Sequence, residues 1–171
     1  MFQRIRDHFQ SMRTLRQLCT GAERHARAQG HGAPGAEHFL LAALDLPDGS
    51  ARRVFERLGA DPRALQAAIE QQYRDALQGL GLGAAVLPAA AATTAAPSRI
   101  YQAQPSGQEL MQALARSRKG RAGPLRGAHI VALVAEMPQG VAARTLRALR
   151  LDAAELAAAA HAEALAQGTA C

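Results

Sequence analysis

Cys19 with His25 or His38 is the pairing in these 171 residues that could act as nucleophile and base, the thiolate being the attacking species. Cys19, however, shares a helical stripe with Leu15, Leu18, Ala22 and Ala26, where a small thiol is ordinary core filling. His8, Glu23, His25 and His31 could ligate a metal, yet no Cys₂His₂ or His-Glu-x-x-His spacing joins them. Lys119 is the one lysine, and Lys119-Gly120 is not part of a Gly-x-x-x-x-Gly-Lys-Ser/Thr phosphate loop. The expectation is a chain with no catalytic residue, no metal and no cofactor.

The chemistry that remains is charge. Residues 1–30 hold six arginines against Asp7 and Glu23, and residues 98–126 hold five arginines and Lys119 against Glu109. These two zones carry more than the whole formal charge of +6. Clustered arginines fit nucleic acid or an acidic protein partner, or they are solvated helix faces, which is the plainer reading.

Both zones fall at matching places in a duplication. A shift of 91 residues lays Ala22 on Ala113, His38 on His129, Leu58 on Leu149, Asp61 on Asp152 and Leu65 on Leu156 without a gap. Aromatics are only 4% and alanine is abundant, which favours thin, closely packed helices over strands. Each copy reads as four helices. In the first copy, helix one runs from Ser11 to Gln29, and glycines stop it from Gly30 onward. Ala36 to Leu44 is apolar nearly all round and forms the buried centre, with Glu37 complementing the helix dipole. Ser50 is the expected N-cap of the third helix, which carries Val54, Phe55 and Leu58. Asp61-Pro62 opens the fourth.

The second copy repeats the plan. His129, Ile130 and Leu133 lie on the buried short helix, Leu146 and Leu149 on the next, and Asp152 with Glu155 opens the last. The expected core is His38, Phe39, Leu41, Leu44, Phe55 and Leu58 in copy one, and His129, Ile130, Leu133, Leu146 and Leu149 in copy two. The fold class is all-α, two pseudo-symmetric four-helix repeats with about eight helices. The expected divisions are an N-terminal extension at 1–10, repeat one at 11–78, an Ala/Gly/Pro linker at 79–105 and repeat two at 106–167. Phe2, Ile5 and Phe9 mark a further apolar stripe in the extension. Charges in the first residues do not suit a signal peptide, and the linker holds Pro88 and Pro97, so no membrane span is expected. Two distant cysteines make no disulfide framework and suit a reducing cytoplasm.

Gly30-His31, then Glu37 through Leu44, then Ala51 through Leu58-Gly59-Ala60-Asp61, resembles the repeat of the Clp ATPase N-terminal domain. The opening Met-Phe-Gln-Arg-Ile is similar to the start of Clp unfoldase chains, and the resemblance covers roughly residues 14–165. Copy two departs from it: Ala128 replaces the Glu, Ile130 a Leu, and Arg150 stands where Gly59 stands. The resemblance implies a non-catalytic docking module for substrate, peptide or adaptor proteins of the Clp protease and chaperone system. It is either a stand-alone protein, which is favoured, or an isolated N-domain. Its partners would be the Clp ATPase, adaptors or substrates. In some family members the matching Glu recognises phosphorylated arginine, which makes Glu37 a binding candidate, with Arg6 near the place of a hydroxyl residue. A basic nucleic-acid-binding helical protein is the alternative, and a hydrolase ranks last.

Overall fold

The computed structural model describes residues 2–79, 102–121 and 123–166, and these form eight α-helices with no strand among them. Helices α1 (Phe2–Ala28), α2 (Ala36–Leu44), α3 (Ser50–Arg57) and α4 (Ala64–Gly79) make the first repeat. Helices α5 (Pro105–Ser117), α6 (Gly127–Ala135), α7 (Val141–Ala148) and α8 (Ala153–Ala166) make the second, with a 3₁₀ turn after α5. Both α6 and α7 start and end 91 residues after α2 and α3, so the duplication seen in the sequence is a duplication of helices. Residues 80–101 of the expected linker lie outside the described residues.

All nine residues of α2 are buried, including Glu37 and His38, and α6 is nearly as enclosed. The two helices pack on each other at the centre. The outer helices then cross between repeats: α4 lies on α7, and α8 lies on α3. Phe39, Leu41, Leu44, Phe55, Ile130 and Leu146 are buried, whereas Leu58, Leu133 and Leu149 are partly buried against the same core. His129 is also only partly covered.

Two local expectations are corrected. Helix α1 begins at Phe2, not at Ser11, so the segment set apart as an extension is its first turns. No Gly or Pro interrupts residues 2–20, and nothing else there forces a helix start. Ser50 is not the N-cap of α3: that position is Gly49, and Ser50 is the first helical residue. Asp61 and Asp152 do receive helix-start amides, from Arg63 at 2.9 Å and Glu155 at 2.9 Å.

The ends of α3 and α7 share one geometry built from different residues. Gly59 adopts φ +68°, and Ala60 N–H returns to Phe55 C=O at 3.0 Å. Arg150 holds φ +57° in the same place, with Leu151 N–H to Leu146 C=O at 3.0 Å. An arginine there carries a backbone cost that glycine avoids.

Candidate functional site

The helix starts at the centre of the fold are satisfied in two different ways. In both repeats a histidine at the third helical position reaches back to the chain just before its helix. His38 Nδ1 accepts the Gly35 N–H at 2.8 Å, and His129 Nδ1 accepts the Arg126 N–H at 3.1 Å. The proton of His38 is therefore on Nε2, shared between His31 Nδ1 at 3.0 Å and Gln29 Oε1 at 3.1 Å. In repeat one the carboxylate of Glu37 folds back over Gly35, where a Cβ would collide with it. Tyr73 of α4 donates its hydroxyl to Glu37 Oε1 at 2.6 Å. Burial pushes the Glu37 carboxyl up, but the hydrogen bonds it receives more than reverse this and hold it below the ordinary carboxylate range. His38 Nδ1 lies 3.2 Å from the same oxygen, yet it is already occupied by the Gly35 N–H. The nearby His38 ring, then the Tyr73 hydroxyl and the Glu37 backbone N–H, together lower the carboxyl. Burial and this same carboxylate push the Tyr73 hydroxyl up.

Repeat two has Ala128 and Arg126 where repeat one has Glu37 and Gly35. Its missing acid is supplied by the other repeat. Gly127 N–H donates to Asp48 Oδ2 at 3.0 Å, and Ala128 N–H donates to Ser50 Oγ at 2.8 Å. Ser50 thus caps α6 rather than its own helix. The reverse exchange is weaker: Ala36 N–H donates to Ser106 Oγ at 3.2 Å. Burial, then the nearby Arg121, pushes His129 down to about 4.

A concave surface lies beside this junction. It is a groove of about 670 Å³ between the first half of α1 and the loops at 46–48 and 125–126. Arg6, Phe9 and Arg13 form one wall; Leu46, Leu125 and Arg126 lie opposite. Asp48 is the one carboxylate on the lining, and it is occupied by the helix-cap contacts above. Ser11 pins α1 here, accepting the Leu125 N–H at 2.9 Å and donating to the Asp7 carbonyl at 2.7 Å. Around that anchor Ile5, Phe9 and Met12 are 50%, 70% and 52% exposed. Their spacing places them on one exposed helical stripe.

The groove also unites the two basic zones of the sequence. Arg6 and Arg13 come from the first and Arg126 from the second, while Arg118 lies 3.4 Å from His8. Burial, then the charge of Arg118, lowers the pKa of Arg121.

Of the two binding candidates, Arg6 is exposed on the groove and Glu37 is 1% exposed in the interior, so the fold does not bring them together. Cys19 packs beside the core as an unbridged thiol, while His25 is engaged by Asp45 at 2.8 Å and His38 by Gly35. Among the described residues no cluster of three or more His, Cys, Asp or Glu could hold a metal ion, and no helix is long and apolar enough to cross a membrane. Arg13 and Arg126 carried a signal in their charge zones. Tyr73 and Asp48 carried none, and Ser50 signalled only a cap of its own helix, because their partners are distant in sequence.

An all-helical double repeat with a side groove defines a small helical repeat domain. Residues 12–95 match the family described as Clp repeat (R) N-terminal domain. The chaperone proteins ClpC1 and ClpC2, chloroplastic, of Oryza sativa subsp. japonica are each 38% identical over 58 residues. That similarity covers 34% of this chain and 6% of each relative's length. This part of the chain belongs to the Clp repeat N-terminal domain family.

Proposed function

We propose that this chain is a docking module of the Clp system, one that binds segments of adaptor or substrate proteins and performs no chemistry on them. The observation that supports this best is the groove beside the junction of the repeats, lined by arginines and apolar side chains without a nucleophile and base set toward it. Binding in such a groove needs only shape, apolar contact and charge. Two cysteines without a disulfide framework fit work in a reducing compartment such as the cytoplasm.

The test is direct binding of the purified chain to purified Clp ATPase, adaptor and protease subunits by biolayer interferometry, with nucleotide turnover followed in parallel. Binding of at least one of these, with no turnover by the chain alone, is the expected result. Absence of binding to all of them, or turnover by the chain unaided, overturns the proposal.

The phospho-arginine role of Glu37 and Arg6 is a separate proposal drawn from the family resemblance. The Glu37 carboxylate would have to leave Tyr73 to reach a guanidinium. Titration calorimetry of the whole chain with phospho-arginine decides it. Heat that Glu37→Ala abolishes in a folded variant supports the role, and no heat with the unmodified chain removes it.

A further inference from the structure

We infer that the groove and the projecting turns of α1 form one surface that takes an acidic peptide segment anchored by large apolar side chains. This rests on the docking reading and adds the chemistry of the occupant.

Three observations converge. The first is charge. Arg6, Arg13 and Arg126 line one cavity, and Arg118 lies against His8 on the same helix. Among the described residues no carboxylate is ion-paired to Arg6 or Arg13, although α1 has Asp7 and Glu23 and the body offers others. Asp48, the one acid on the lining, is spent on the Gly127 amide and on Ser50. A lining on which Arg6 and Arg13 stand beside one engaged carboxylate holds a positive potential that an acidic segment neutralises.

The second is apolar exposure. Among the described side chains of α1, Ile5, Phe9 and Met12 are the large hydrophobics that the body leaves exposed, and Phe9 is both on this stripe and on the groove wall. An aromatic at the edge of a basic groove serves as an anchor for one apolar side chain of the partner. The opposite wall continues the apolar path through Leu46 and Leu125.

The third is position. The surface is made from both repeats: α1 and the 46–48 loop from one, the 125–126 loop from the other. Ser11 fastens α1 to Leu125, so the wall is held in place before any partner arrives. A second copy of this chain is a poor occupant, because facing copies would set Arg6 and Arg13 against the same arginines.

Fluorescence anisotropy of the whole chain tests this with a short labelled peptide of Glu and Asp interrupted by one Phe and one Leu. Two control peptides replace the acids with Lys or the two apolar residues with Ala. The acidic apolar probe should bind, and each control should bind roughly tenfold more weakly or worse. Arg6→Glu with Arg13→Glu should weaken the probe by roughly tenfold or more, and Phe9→Ala by several-fold, with unchanged circular dichroism because all three positions are exposed. Added salt should weaken binding of the probe.

Equal binding of the Lys peptide, or no effect of the arginine reversals, overturns the inference. So does tighter binding of single-stranded DNA or of phosphatidylserine vesicles than of the probe, or a Phe9-dependent dimer in sedimentation. If the acidic probe fails while a purified Clp partner still binds, this inference falls and the docking reading stands. If the Clp partners also fail, both fall.

Discussion

Replacing Glu37 measures whether its carboxylate is a structural latch. The side chain is 1% exposed, receives the Tyr73 hydroxyl at 2.6 Å and lies over the start of α2. A hydrogen bond to an enclosed charge is worth about 1.5–3 kcal/mol, and an acid at a helix start adds about 0.5–1 kcal/mol. Glu37→Ala removes both and leaves the Tyr73 hydroxyl without its acceptor, so the expected loss is about 3 kcal/mol. For a chain of this size that is a fall in Tm of roughly 6–12 °C. Tyr73→Phe alone should cost about 2 kcal/mol, because the carboxylate stays buried with one donor fewer. The double variant should lose less than the sum, with a coupling of about 1.5 kcal/mol in urea unfolding at neutral pH. Acid gives an independent check. The Glu37 carboxyl is held below its unfolded range, so its contribution is complete above the unfolded pKa and disappears as pH falls through the folded one. The gap between wild type and Glu37→Gln should therefore narrow in acid. A cost for Glu37→Ala below about 0.5 kcal/mol, or strict additivity with Tyr73→Phe, would refute the latch.

Three further outcomes follow from the described geometry. His129 is pushed down to about 4, so the fold favours its neutral ring; stability is complete above the unfolded pKa near 6.5, declines as pH falls toward 4, and stops declining below it. The expected loss approaches about 3 kcal/mol, and His129→Asn should flatten the decline in urea titrations run across that range. Arg150→Gly should raise stability by roughly 0.5–1 kcal/mol, since φ +57° suits glycine, while Gly59→Ala at φ +68° should lower it by about 1 kcal/mol. Equal melting of either variant with wild type would contradict that account. Leu41→Asp places an unpaired charge at a position 5% exposed and should unfold the first repeat, as near-identical thermal melting would disprove.

Much of the fold was legible because it is written locally. The enclosed α2 and α6 follow from uninterrupted apolar runs, and the 91-residue offset fixes which helices correspond. The glycine stops at Gly30 and Gly59 are read from single residues with positive φ. The start of α1 was not legible, because Ile5 and Phe9 extend a helical pattern with no capping signal to say where it begins. Ser50 shows the same limit in another form. Its type suits an N-cap, but the helix it caps lies 78 residues further on, and nothing in the local pattern points there. Glu163 is a third case: buried on α8, it pairs with Arg53 at 2.7 Å and Arg57 at 2.8 Å across the repeats. Of the groove, the basic zones were visible as charge, whereas their meeting on one surface depends on α1 lying against the 125–126 loop.

The crossing of α4 onto α7 and of α8 onto α3 bears on how such a chain could arise. A solitary unit of four helices would leave wet the faces of α3, α4, α7 and α8 that meet across the junction. Docking on a twin dries them, and a single chain makes that association permanent. In one chain a gap in either half can be filled by its sibling. The first half has its own acid at Glu37; the second has Ala128 and leans on Asp48 across the seam.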